Sequence, residues 1–331
     1  MSNNLPLTVA CHGYDRVQAL RDGTIRAEGI DLRMIDLPVE EIFWRQLHHF
    51  EFDVSEVSLS SYVMGRSRDQ LPLIAIPVFP SRYFRHNCIF VNPAKGIKRP
   101  EDLKGKRMAV PEYQMTAAVW ARGLLQDDYG VHPRDVEWFT GGVSDPGREE
   151  KLALELPPDV HVTPIPTHRT LNEMLESGEL DAYMGARIPP VANRGDGTLV
   201  RLFPDFETVE AEYYRRTHIF PIMHVLAIRQ DVYEANPWIA MNLYKAFLAA
   251  KNHCLREMDH TSALQYALPW MWPGLERAKA LIGPDFWPYG VDQSRPTLEK
   301  FVEYSYEQGL SRRRMTVEEL FAPNTLDEFK I

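Results

Sequence analysis

The sequence is short of cysteine, with three in 331 residues, Cys11, Cys88 and Cys254. They are scattered and form no CxxC pair and no zinc-ligand spacing. This excludes a disulfide framework and the common zinc modules, and buried reduced thiols are expected. No apolar run approaches the roughly 20 residues that a bilayer-spanning helix needs, so no membrane partner is expected. Basic residues number 37 against 46 acidic, for a net charge of -9. A protein that tracks nucleic-acid phosphates is therefore not expected. The one dense basic run, Arg312-Arg313-Arg314, reads as a solvated face. The chain also lacks a GxGxxG between strand and helix, a GxxxxGK[ST], an HExxH and a GxSxG. The first ten residues carry no basic segment and no sustained apolar core of the secretory kind, so a cytoplasmic protein is expected.

What is present is an ordinary globular composition, 44% hydrophobic and 25% charged. The length exceeds the ~250–300 residues at which one hydrophobic core stops growing, so two lobes are expected. Strands are read at Leu5–Cys11, Ile30–Leu37, Phe52–Ser55, Leu73–Val78, Asn87–Asn92, Met108–Pro111, Val136–Thr140, Asp181–Met184 and Phe220–Ile228. Helices are read at Val39–Phe50, from Ser58 onward, at Ala117–Asp128, Leu171–Ser177 and Pro237–Met258, and in three later segments around Gly274–Ile282, Pro296–Gly309 and Thr316–Phe321. The expected organisation is a discontinuous first lobe, residues 1–91 and 221–331, with a second lobe, 92–220, inserted in it. Two hinge crossings, near 90 and 220, then leave a cleft that is the default ligand site.

Two stretches resemble type II periplasmic-binding-protein folds: Glu101-Asp-Leu-Lys-Gly-Lys-Arg-Met-Ala-Val-Pro111 followed by Thr116-Ala-Ala, and Gly178-Glu-Leu-Asp-Ala-Tyr183. The resemblance implies an α/β fold of two lobes, each a mixed sheet flanked by helices. Five longer blocks, 52–62, 77–86, 111–120, 213–224 and 243–247, are similar to the 4,5-dihydroxyphthalate decarboxylase family, and the likeness runs almost the whole chain. It implies a cytoplasmic carboxy-lyase that removes one carboxylate from an aromatic dicarboxylate, leaving protocatechuate. The family pattern differs around Tyr183-Met-Gly-Ala-Arg187-Ile-Pro-Pro190, a loop expected to face the cleft.

Such a reaction needs cationic or N–H anchors for two carboxylates, with an acid and a base near neutrality. It needs no electron-sink cofactor, because a phenol oxygen para to the leaving carboxylate supplies the electrons. No cofactor is expected, with a divalent metal held by Glu56 and histidines as the alternative. Arg82, Arg85 and His86 precede the first crossing, and guanidinium forks match carboxylates. Arg216, His218 and His224 flank the second. His86, His218 and His224 are candidate proton-transfer residues, and Glu56 could orient one of them. Each has a plainer reading, an arginine paired with a surface acid or a histidine satisfied in the core. Ser58, Ser60, Gln114 and Thr116 begin helices, where free N–H groups bind anions or are merely capped. Arg16, in the strand-end group His12, Tyr14, Asp15, Arg16, and Arg187 complete the candidate binding set. The expected partner is a small aromatic dicarboxylate, with a homo-oligomer left open. An exported solute-binding protein for an aromatic acid and a cytoplasmic dehydratase on the same fold are the rival readings.

Overall fold

The computed structural model describes residues 4–326. Its strands, in chain order, are β1 (Leu5–Ala10), β2 (Ile30–Ile35), β3 (Val54–Ser58), β4 (Leu73–Arg82), β5 (Ile89–Val91), β6 (Arg107–Val110), β7 (Glu137–Thr140), β8 (Val162–Pro164), β9 (Ala182–Met184), β10 (Val200–Arg201) and β11 (Ile222–Arg229). They form two sheets. The first has the order β2-β1-β3-β11-β4, the second β10-β5-β9-β6-β7-β8. In the first, β1 runs parallel to β2 and β3, and β11 returns antiparallel between β3 and β4. The second is parallel across β9-β6-β7-β8 and antiparallel at the β5 end. This is the expected two-lobe α/β arrangement.

Local chemistry explains the elements that matter. The helix Val39–His49 turns Ile42, Phe43 and Leu47 inward, has Glu40 and Glu41 in its first turn and His48 and His49 in its last, and ends at Phe50 in the left-handed region. The helix Leu59–Ser67 is capped by Ser58, whose hydroxyl accepts from the Ser61 N–H. The helix Thr116–Tyr129 stops at Gly130, whose φ of 62° suits glycine. Within it, Gly123 lets the helix Val291–Glu307 approach, since a Cβ there would meet the Tyr304 ring at 2.2 Å. Trp120, fully buried, donates its indole N–H to the carbonyl of Ile222 at 2.9 Å. It ties the second lobe to the returning strand.

Two expectations change. Residues 89–91 were expected in the first lobe, with the boundary at 91/92, yet β5 pairs with β9 and β10 in the second sheet. The first crossing is therefore the segment 83–88, and it runs beside the return crossing: the Tyr83 N–H donates to the Pro221 carbonyl at 3.0 Å. The twelve-residue helix Phe206–Thr217 was not expected at all. Its charged sequence, with Glu210 and Tyr213 as its buried positions, gives almost no apolar stripe to read. All three cysteines are free and buried, and among the described residues no helix is long and apolar enough to cross a membrane.

Candidate active site

The C-terminal ends of β1 and β3 meet β11 at the lobe junction, the usual ligand position in an open α/β sheet. Glu56 lies on β3, fully buried. Opposite Ser58, and between two register irregularities against β4, His224 projects from β11. Such irregularities re-aim side chains, and here the imidazole reaches Glu56, with Nδ1 2.5 Å from Oε1. The Tyr14 hydroxyl donates to the same oxygen at 2.6 Å, and the backbone N–H of His12 donates to Oε2 at 3.1 Å. Burial pushes the Glu56 carboxyl up, but the His224, Tyr14 and His12 donors outweigh it and hold the group below its usual range. An ionised Glu56 accepts from His224 Nδ1, which leaves Nε2 without a bond to Glu56. The Phe43 ring stands edge-on to the imidazole, with centroids 4.9 Å apart.

His224 opens on a cavity shared by both lobes. Ser58, Phe43, Glu40 and Met223 line it from the first lobe, Met115, Thr116, Arg148 and Lys151 from the second, and Arg85 from the first crossing. Its volume is about 60 Å³, room for several waters at ~10–15 Å³ each and too little for a substituted ring. The two lobes touch beside it. The Ser58 and Thr116 hydroxyls meet across the cleft at 2.9 Å, and the Ser60 N–H donates to Thr116 Oγ1 at 3.0 Å. At the mouth, Arg187 pairs with Glu40 at 2.8 Å. The loop carrying Arg187 therefore does face the cleft.

Arg85 is the unusual cation of this cavity. It is 6% exposed; its Nε and Nη2 meet the Met223 thioether at 3.0 and 2.7 Å, and its guanidinium lies 4.9 Å from the Tyr83 ring centroid. Sulfur is a weak acceptor. Burial lowers the guanidinium pKa, with Cys88, Tyr83 and Glu210 offsetting only part of the cost. Among the described residues no carboxylate pairs with it, so a buried cation is left for an anion to satisfy.

Several expected site residues lie elsewhere. Arg82 spends its donors on the Phe220 and Pro288 carbonyls, at 2.9 and 2.7 Å, and on Ser294 Oγ at 2.7 Å, which stitches the crossings instead of facing the cleft. His86 is buried between the rings of Phe203 and Tyr213. His218 caps the helix 206–217 in the left-handed conformation, exposed, with Tyr214 edge-on. Arg216 pairs with Asp128 at 2.7 Å on the outer face. Arg16 lies between the rings of Tyr14 and Trp287 and bonds Asp15 and the Pro80 carbonyl. Gln114 donates to the Leu152 carbonyl, and the Ser60 hydroxyl is buried without a protein partner. Tyr14 enters the site through Glu56, and Arg148 and Lys151 were missed. Two wider grooves, of about 410 and 380 Å³, lie on the outer face, and Asp127, Asp128, Tyr213 and Arg216 border both. Among the described residues no three His, Cys, Asp or Glu side chains gather as a metal ligand set.

Fold and cleft together define a two-lobe protein of the periplasmic-binding-protein class. Residues 41–145 match the family model described as the periplasmic substrate-binding protein of a phosphonate ABC transporter. The sulfonate-binding protein SsuA of Escherichia coli superposes with a TM-score of 0.55 at 12% identity, covering 97% of this chain and 99% of that one. The desulfurization enzyme DszB gives 0.52 at 16%, covering 98% of each. These likenesses show the fold. The sequence relatives are far nearer: 4,5-dihydroxyphthalate decarboxylase of Comamonas testosteroni is 41% identical over 99% of this chain and 100% of its own. The enzyme of the same name from Pseudomonas putida is 43% identical over 64% of this chain and 83% of its own. The chain belongs to the 4,5-dihydroxyphthalate decarboxylase family and is a carboxy-lyase.

Proposed function

We propose that the protein decarboxylates 4,5-dihydroxyphthalate, or a close hydroxylated phthalate, to protocatechuate and carbon dioxide without redox chemistry. The observation that carries this reading is the Glu56–His224 pair beside the buried Arg85 guanidinium, which has no carboxylate partner among the described residues, in one cleft between two lobes. Arg85 takes one carboxylate of the ring. The Ser58–Thr116 hydroxyl pair exchanges its mutual hydrogen bond for one to a ring hydroxyl. As the substrate binds, the hydroxyl para to the leaving carboxylate releases its proton to solvent, and electron density moves onto the ring carbon that bears the carboxylate while that oxygen becomes a carbonyl. Nε2 of the His224 imidazolium, protonated from solvent before closure, delivers its proton to that carbon, with Glu56 holding the ring in place and stabilising its charged form. The carbon–carbon pair then returns to the ring as carbon dioxide departs, the carbonyl becomes a phenolate that regains its proton from solvent on opening, and His224 is reprotonated at Nε2. Because the cavity is too small for the ring, the lobes must part for entry, and their closure over the substrate excludes water.

The same reading needs no metal and places the reaction in the cytoplasm, as the family resemblance implies. Metal-stripped protein incubated with 4,5-dihydroxyphthalate is expected to release one carbon dioxide per protocatechuate, with no oxygen uptake. No turnover by folded protein, with or without added divalent metal, overturns the activity; turnover only on adding metal overturns the metal-free part. The fold likeness to sulfonate-binding proteins supports a second reading, a binder of an aromatic acid. Stoichiometric binding without carbon dioxide release would decide for it.

A further inference from the structure

The segment after β7 supplies two cavity-lining cations, Arg148 and Lys151, that belong to no helix or strand. Behind them lies Glu112, just past β6 and 1% exposed. Its Oε1 accepts from Arg148 Nε and Nη2 at 2.8 and 2.6 Å, and Lys151 Nζ reaches both of its oxygens at 2.5 Å. The intervening Glu150 turns the other way and accepts the backbone N–H groups of Tyr113 and Gln114, at 2.5 and 3.3 Å. Gln114 Nε2 closes the strap by donating to the Leu152 carbonyl at 3.1 Å. Residues 148–152 are thus laced to residues 112–114, the lead-in to the helix Thr116–Tyr129.

The two cations of this strap line the cavity, whereas its two carboxylates, Glu112 behind them and Glu150 held by backbone N–H groups, do not. Arg85, on the crossing, faces the same cavity from a separate segment, and Glu40, the lining carboxylate, is engaged by Arg187. A cavity with two distinct cationic positions matches a ligand with two carboxylates. We infer that Arg148 and Lys151, positioned by Glu112, are specificity-determining residues that recognise the second carboxylate of a ring dicarboxylate. This rests on the carboxylate-binding reading of the cleft, with Arg85 taking the first carboxylate.

The arrangement also separates substrate from product. On binding, Lys151 and Arg148 share their donors between Glu112 and the ligand carboxylate, and such charge-assisted bonds are the strong ones. Decarboxylation removes one of the two anionic groups, so the product is anchored at a single position. Glu112 then has both cations to itself again, as in the structure described here, and the product leaves.

The test reads binding of simple ring anions and so does not depend on turnover. Calorimetric titration with phthalate and with benzoate is compared for the wild type, Lys151→Met and Arg148→Met. Each variant is expected to weaken phthalate about tenfold or more and benzoate less than about twofold, since tenfold corresponds to the ~1.4 kcal/mol of one charge-assisted contact. Lys151→Arg keeps the charge and should hold phthalate within about threefold. Equal weakening of both anions, or none, overturns the proposal. So does loss of phthalate binding in Lys151→Arg by a protein that unfolds with a wild-type melting curve. If instead wild-type protein binds phthalate tightly yet releases no carbon dioxide from 4,5-dihydroxyphthalate, the decarboxylase reading fails and the specificity assignment stands.

Discussion

His224 and His86 lie on the two sides of the same hinge, and their surroundings differ in every respect that matters for chemistry. His224 has a carboxylate on Nδ1, a phenol hydroxyl 3.5 Å from that nitrogen, and a cavity beyond the ring. Around His86 stand Phe203 and Tyr213, ring centroids 5.3 Å away in each case, and neither of its nitrogens has a protein partner. Burial, with the positive Arg216 nearby, lowers its pKa to about 4. A histidine moves protons when one nitrogen is fixed by a partner and the other meets the substrate. His224 meets the first and opens on a cavity where the second can be met. His86 has neither, and at neutral pH it is an uncharged aromatic plate in a packed layer.

The contrast breaks most sharply at His224. His224→Asn is expected to lower kcat about a thousandfold, within the ~10²–10⁴ that a positioned acid or base contributes. Its phthalate affinity by calorimetry should stay within a few-fold, because the anchoring cations are untouched. A kcat within tenfold of wild type would remove His224 from the proton-transfer step.

Next in size is Glu56→Gln, expected to cost about a hundredfold in kcat, since the amide holds the ring without an anion to stabilise its charged form. It should also change the acid limb of the pH–rate profile. The native Glu56 carboxyl titrates below its usual range, so activity is fully supported above that range and falls only as pH drops through the lowered value. In Glu56→Gln that limb should vanish. A hundredfold loss with the limb intact would mean that another group titrates there.

How much of this site could be read from the chain depends on how local each residue's reason is. Ser58 and Thr116 were legible because helix starts announce themselves by residue type. His224 was legible as a polar residue inside an apolar strand pattern, a conflict that marks functional positions, and Glu56 as a carboxylate beside the helix starts that could orient a histidine. Arg82 and Arg85 were indistinguishable, three residues apart in one polar block. Only the fold shows that Ser294 and the Pro288 carbonyl, more than two hundred residues on, consume the first. His218 and Arg216 went astray with the helix Phe206–Thr217, which rotates one onto the outer face and makes the other a cap. Arg148 and Lys151 sit in a stretch with no periodicity at all. Their meaning comes from Glu112, a contact across 36 and 39 positions that no local pattern encodes. The lobes themselves were legible because alternation and amphipathic spacing are local, and the boundary slipped only where β5 is three residues long.

The smallest effect belongs to the other side of the comparison. His86→Phe should leave kcat and KM within about twofold at neutral pH, since the neutral imidazole is replaced by another ring among Phe203 and Tyr213. Its signature is in stability against pH. The native His86 is depressed to about 4 from the ordinary 6.5. Between these values the unfolded chain takes up a proton that the folded chain refuses. Folding therefore loses stability as pH falls through that window, and the loss is complete below about 4. A shift of this size corresponds to about 3 kcal/mol at 1.36 kcal/mol per unit. His86→Phe should then flatten the urea-unfolding stability between pH 6.5 and 4 relative to the wild type, while the two proteins differ little at pH 7.5. An unchanged slope would show that His86 is protonated in the folded state. It would then be a charged neighbour of Arg216 and not a neutral ring packed between Phe203 and Tyr213.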